Sequence, residues 1–169
     1  VCLMLRRDIP LFVKTSVDAT GTNSGSVSLR WTKPLLQDFD TLTLKPPYVT
    51  ELYHRAYGAA NFDAVANSRK TATTFKGWID TSFVHTNINT LNVGHEYDLK
   101  FFYNDNMPYG NVPDAGTVFL TIESGDKKNK LSWTAATPWS NRSYRVLREN
   151  AQGVFEEIGS TRNKEFVDQ

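Results

Sequence analysis

The second half of this chain replays the first. Val27-Ser28-Leu29-Arg30-Trp31 is matched by Lys130-Leu131-Ser132-Trp133, and Thr50-Glu51-Leu52-Tyr53-His54 by Tyr144-Arg145-Val146-Leu147-Arg148. Phe62-Asp63-Ala64-Val65 is matched by Phe155-Glu156-Glu157-Ile158, and Phe83-Val84 by Phe166-Val167. Four blocks in one order mean one structural unit used twice, and a repeat of this length must be accounted for before any fold is assigned. The intervals between blocks shrink in the second copy, so the first carries the longer loops.

Each copy reads as β structure. Val27 to Trp31 alternates apolar and polar, as does Tyr97-Asp98-Leu99-Lys100-Phe101, and that period of two puts one face of a strand in a core. Pro34, Pro46, Pro47, Pro108 and Pro113 fall between such runs, where a missing backbone donor costs least, and Asn23-Ser24-Gly25 makes a turn. Short aromatic and β-branched runs separated by turn residues predict an all-β fold of packed sandwiches. The repeat sets the organisation: residues 9–115 as a first domain with long loops, and 116–169 as a second that stops before its last two strands. One core face of that second unit would lie open unless something covers it. Val118-Phe119-Leu120-Thr121-Ile122 reads as the last strand of the first copy. Val1 to Leu5 with the polar residues after it resembles that run, so residues 1–8 are expected to be the last strand of a preceding domain, and the chain to be a segment of a longer string.

Charge and composition exclude several functions. With 19 basic and 18 acidic residues among 169, the net charge of +1 gives no basic surface of the kind nucleic acid requires. No apolar run approaches the ~18 residues of a membrane span, so direct insertion by this segment is not expected. The single cysteine, Cys2, rules out an internal disulfide framework or a cysteine zinc site. The histidines, His54, His85 and His95, lack metal-ligand spacing and read as surface or rim residues. There is no Gly-x-Ser-x-Gly elbow, and a short sandwich offers no deep cleft. Catalytic residues, cofactor and metal are therefore all expected to be absent.

Weaker patterns remain. Asn104-Asp105-Asn106 with Asp114 does not fit a calcium loop and reads as turn chemistry. Asp126-Lys127-Lys128-Asn129-Lys130 is either an anion contact or a solvated hairpin tip. Trp31 and Trp133 occupy matching positions and belong to the two cores. Trp78 has no counterpart, because it lies in an insertion between Lys70 and Phe83. With Phe75 and Tyr109 it is the candidate partner contact, ordinary packing under a long loop being the alternative.

Within the first copy, Trp31 early and Leu91-x-x-Gly94-x-x-Tyr97-x-Leu99 late resemble the fibronectin type III sandwich. Leu91, Gly94 and Tyr97 have the spacing of its tyrosine corner, in which the hydroxyl bonds upstream backbone. More narrowly, Arg6-Arg7-Asp8-Ile9-Pro10, Val27 to Pro34, Glu51-Leu52-Tyr53, Leu131-Ser132-Trp133, Thr137-Pro138-Trp139-Ser140-Asn141, Ser143-Tyr144 and Phe166-Val167-Asp168 are similar to the type III repeats of large Bacteroidota surface proteins. Those proteins commonly end in a gliding-motility-associated C-terminal domain, the sorting signal of type IX secretion. The resemblance implies non-enzymatic modules displayed at, or released from, the cell surface, acting as spacers or in adhesion. It implies as partners the neighbouring domains of the same chain, and a protein or glycan ligand. Accessory modules of a secreted polysaccharide hydrolase, or docking on the secretion or gliding apparatus, are the other readings. Cys2 would then pair with a cysteine upstream, a buried free thiol being the alternative. Asp40-Thr41-Leu42 has the form of the O-glycosylation site used on such exported proteins.

Overall fold

The structure, a computed structural model, describes residues 7–168. Cys2 and its pairing lie outside the described residues. So does most of the 1–8 segment read as a strand, and Arg7 and Asp8 have no strand geometry.

The chain is all-β and antiparallel. Its strands are β1 (Leu11–Ala19), β2 (Gly25–Thr32), β3 (Tyr48–Ala56), β4 (Asp63–Ala64), β5 (Lys70–Ala72), β6 (Ser82–Ile88), β7 (His95–Tyr103), β8 (Met107–Pro108), β9 (Ala115–Gly116), β10 (Phe119–Gly125), β11 (Lys128–Thr134), β12 (Tyr144–Glu149), β13 (Phe155–Thr161) and β14 (Glu165–Asp168). Sheet β1-β2-β6 faces sheet β4-β3-β7-β8, with β5 on β3 and β9 on β7. Val27, Leu29 and Trp31 from one sheet meet Leu52, Tyr97 and Leu99 from the other, all at 1% exposure or less. Burying each such aliphatic side chain is worth ~1.5–3 kcal/mol.

The second unit repeats this with β10-β11-β14 over β12-β13. The repeat holds at the level of hydrogen-bond register. Leu29 pairs with Phe83 and Leu131 with Phe166; Tyr53 pairs with Ala64 and Leu147 with Glu157; Phe12 pairs with Trp31 and Leu120 with Trp133. The first two sets are sequence-matched residues, and the third adds Phe12 and Leu120, which the sequence comparison does not match. The result is a fibronectin type III-like sandwich built in tandem. Among the described residues, the second copy has no counterpart of β7 or β9.

Three expectations change. Residues Phe119 to Ile122 pair with β11 and open the second unit rather than close the first, whose last strand is the two-residue β9. Leu91 is 54% exposed, not core. Thr90 does the anchoring beside it: its Oγ1 accepts from Gly21 N–H (3.1 Å) and donates to the Ala19 carbonyl (2.8 Å). Tyr97 is fully buried, but its hydroxyl bonds His85 Nδ1 at 3.1 Å instead of upstream backbone.

Candidate functional site

The inward face of β7 reads His95, Tyr97, Leu99, Phe101, and the same face of its neighbour β3 reads His54, Leu52, Thr50, Tyr48. Alternation thus sorts chemistry along the sandwich, with imidazoles at one end, aliphatics in the middle and aromatics at the other.

At the aromatic end the inserted loops build a second core. Trp78, the candidate partner contact whose alternative was packing under the loop, is 3% exposed, so it is packed. It stacks on Tyr48 (5.7 Å between ring centroids, 19°) and on Phe101 (4.9 Å, 16°). Phe39 and Phe75 complete the cluster, and Tyr109 packs edge-on to Phe101 (6.1 Å) while its hydroxyl donates to Asp8 Oδ2 (3.0 Å). The inserted loops thus pack this end of the sandwich with stacked and edge-to-face rings. Phe75 and Tyr109 are half-buried rather than displayed. In the nearby loop the Asp40 carboxylate accepts from Leu42 N–H (2.9 Å) and the Thr43 hydroxyl (2.6 Å), which holds its pKa below the ordinary value.

At the other end all three histidines converge, which the sequence spacing did not show. His54 comes from β3, His95 from β7 and His85 from β6 of the opposite sheet; the His54 ring centroid lies 4.9 Å from that of His95 and 5.1 Å from that of His85. His95 Nε2 faces the Asn89 carbonyl at 2.9 Å, and a carbonyl can only accept, so Nε2 carries the proton. Nδ1 of a neutral His95 is then bare, and His54 Nε2–H donates to it across 2.7 Å. Burial lowers the pKa of all three, and the neighbouring imidazoles reinforce this for His54 and His85. His54 falls to about 4. The cluster is neutral at pH 7. Its two closest nitrogens point at each other, so they do not leave room for an ion between them, and among the described residues no group of His, Cys, Asp or Glu is placed to hold a metal.

This end also meets the second unit. His95 N–H donates to Thr117 Oγ1 (3.0 Å), and Thr117 N–H to the His95 carbonyl (2.9 Å). The Tyr57 hydroxyl donates to the Thr117 carbonyl (2.6 Å) and accepts from Ala136 N–H of the second unit (3.3 Å). Gly116 N–H reaches the Ala136 carbonyl at 2.5 Å. A side chain at Gly94 or Gly116 would collide with the Tyr57 ring or hydroxyl, so glycine is what lets the ring lie in the joint. Trp139, from the second unit, packs on the first core beside Phe12 and Pro113. The joint is therefore hydrogen-bonded and packed.

The second unit keeps Leu131, Trp133, Ala135 and Val146 buried, Trp133 at 9% exposure. A hollow of about 380 Å3 opens beside them, lined by Val118, Leu120, Tyr144 and Leu147. Among the described residues no helix is long and apolar enough to cross a membrane.

No protein-family model matches the chain, and no curated protein matches it. Among solved structures it is similar to the FN1-FN3 domains of chicken CNTN1, with 12% identity and a TM-score of 0.39 over 96% of this chain and 56% of that one. It is also similar to the central fibronectin-III array of RIM-binding protein, with 9% identity and a TM-score of 0.38 over 95% and 53%. The flanking-domain structure of titin kinase gives 15% identity and a TM-score of 0.39 over 65% and 16%. The chain thus spans between 16% and 56% of the length of these structures.

Proposed function

We propose that residues 9–115 and 116–169 are two non-catalytic modules of an exported bacterial surface protein, of the gliding-associated, type IX-secreted kind that the repeat resembles. Fibronectin type III-like modules generally serve as structural or binding units. The role here is geometric: each sandwich is a stiff element, and the joint sets the angle at which neighbouring domains are held. The observation that carries this reading is Tyr57 of the first unit, whose single hydroxyl bonds the second unit twice, as donor to the Thr117 carbonyl and as acceptor from Ala136 N–H. Neutral hydrogen bonds of this kind contribute roughly 0.5–1.5 kcal/mol each, enough to choose one orientation between units.

Tyr57→Phe keeps the ring and removes both bonds. Residual dipolar couplings should then require separate alignment tensors for the two units, whereas the wild type fits one. A wild type that itself required two tensors would overturn the spacer role, and a variant still described by one would place the rigidity in the Gly116–Ala136 bond and the Trp139 packing instead of Tyr57. Surface display is checked separately, by protease treatment of intact cells of the source organism: peptides of this chain should be released without lysis.

A further inference from the structure

Two adjoining hollows lie on the β1-β2 side of the first unit. One, of about 710 Å3, is lined by Val13, Lys14, Arg30, Lys33, Trp78 and Ile79 among others. The next, of about 530 Å3, shares Thr32 and Lys33 with it and adds Arg7, Leu36, Phe75 and Lys76. Five cations line the pair and neither lining contains an Asp or Glu. The sequence gives no hint of this, because the chain as a whole is almost neutral.

Lys14 and Arg30 sit directly opposite each other in the β1–β2 ladder. Like charges in that position repel and lower stability. Neither is in an ion pair among the described residues. The nearby carboxylates are engaged elsewhere: Asp38 accepts from the Arg7 backbone N–H (2.9 Å) and Asp80 pairs with Lys70 (3.3 Å). Arg7 Nη2 donates to Thr32 Oγ1 (3.0 Å), while its Nε–H is buried without an acceptor. A patch that holds cations together at a cost to its own fold is complementary to an anion supplied from outside.

The neighbouring surface decides which anion. Ile79 is 82% exposed, Leu36 64% and Val13 49%, whereas the faces of Trp31 and Trp78 are buried and Lys33 covers the Phe75 ring at 4.7 Å from its centroid. Among the described residues lining these two hollows, none offers a free flat aromatic face to a sugar ring. Exposed aliphatics suit apolar side chains instead. The β1 edge is also guarded against strand addition, by Lys14 and by the bulge between Phe12 and Lys14. We infer that this face binds an acidic polypeptide segment in which carboxylates alternate with aliphatic residues, its acids meeting Lys14, Arg30 and Lys33 and its apolar residues meeting Val13 and Ile79. The site does not depend on where the protein is displayed.

The test uses the 169-residue chain and four fluorescent probes: an Asp-Leu alternating octapeptide, its Lys-Leu counterpart, an all-Asp octapeptide and dextran sulfate. The Asp-Leu peptide should bind best and the Lys-Leu peptide not at all. Binding should weaken as salt rises toward a level where the screening length is about 3 Å. Arg30→Gln should weaken it by about tenfold or more, as loss of a complementary charge does, while leaving the thermal midpoint unchanged or higher, because it relieves the repulsion with Lys14. Ile79→Ser should weaken the Asp-Leu peptide but not the all-Asp one. Lys14→Gln repeats the charge test should Arg30→Gln fail to fold. Dextran sulfate binding more tightly than the Asp-Leu peptide would make this a polysaccharide site and overturn the proposal. So would Asp-Leu binding that neither charge variant changes.

Discussion

Acidifying the protein from pH 7.5 to pH 4.5 should cost it a large part of its stability, through three imidazoles. His54 has a folded pKa of about 4 against an ordinary 6.5. The unfolded chain therefore takes up a proton first as pH falls. The stabilisation of the neutral cluster is fully present above pH 6.5, declines from there, and is lost below about pH 4. A difference of that size is worth about 3 kcal/mol for His54 alone, with His85 and His95 adding in the same direction. Domains of this size are held by only about 5–15 kcal/mol in total. The measurement is a series of denaturant midpoints against pH. His54→Gln is the informative variant, because its amide can still donate to His95 Nδ1 but cannot titrate. It should flatten the decline between pH 6.5 and 4. An unflattened curve would place the acid sensitivity in other groups. Amide exchange should show the loosening at Thr117 first, since its N–H and hydroxyl are bonded to the His95 backbone.

Trp78→Ala should be the most damaging single change in the inserted loops, lowering stability by about 3–5 kcal/mol, the usual cost of truncating a buried aromatic. Its ring stacks on both Tyr48 and Phe101, whose own centroids lie 6.4 Å apart, and its loss would strip both of a stacked neighbour. Denaturant unfolding should show a lower midpoint with an unchanged slope. Phe75→Ala, at a half-buried position, should cost less. Were Trp78 an exposed recognition residue, its removal would leave the midpoint unmoved. The two outcomes separate contact from core without any ligand.

The repeat was legible because matched positions carry matched work. Leu29 and Leu131 each pair with a phenylalanine, and a leucine facing a phenylalanine in a core leaves a pattern that survives shorter loops. Leu91 misled because a motif spacing was carried over where Thr90 and Gly21 make the anchor instead. Of the two readings open for Trp78, packing holds, because the insertion that carries it also brings Phe75 against it, with Tyr48 and Phe101 beneath. The histidines were the largest omission. His54 and His95 are 41 residues apart and are united by the pairing of β3 with β7, and His85 joins them only when the two sheets pack. A signal was present nonetheless: His54 lies in phase with Leu52, and His95 in phase with Tyr97 and Leu99. Period two therefore already aimed both rings inward. The cationic hollows left no such trace, since Arg30 looks like any outward strand residue until Lys14 is placed across from it.

The shared register has a consequence for how much recognition surface such a unit can carry. Between Leu29 and its partner Phe83 the chain runs 54 residues, and between Leu131 and Phe166 only 35. Because the entropy of closing a loop grows only with the logarithm of its length, the longer excursion costs about 0.4 kcal/mol more. Nineteen added residues thus burden the ladder by less than one weak hydrogen bond. What limits such loops is whether they bring a core of their own, as Trp78 and Phe39 do. A lineage of these modules is then free to diversify by lengthening this one segment, with the pairing of β2 and β6 left untouched.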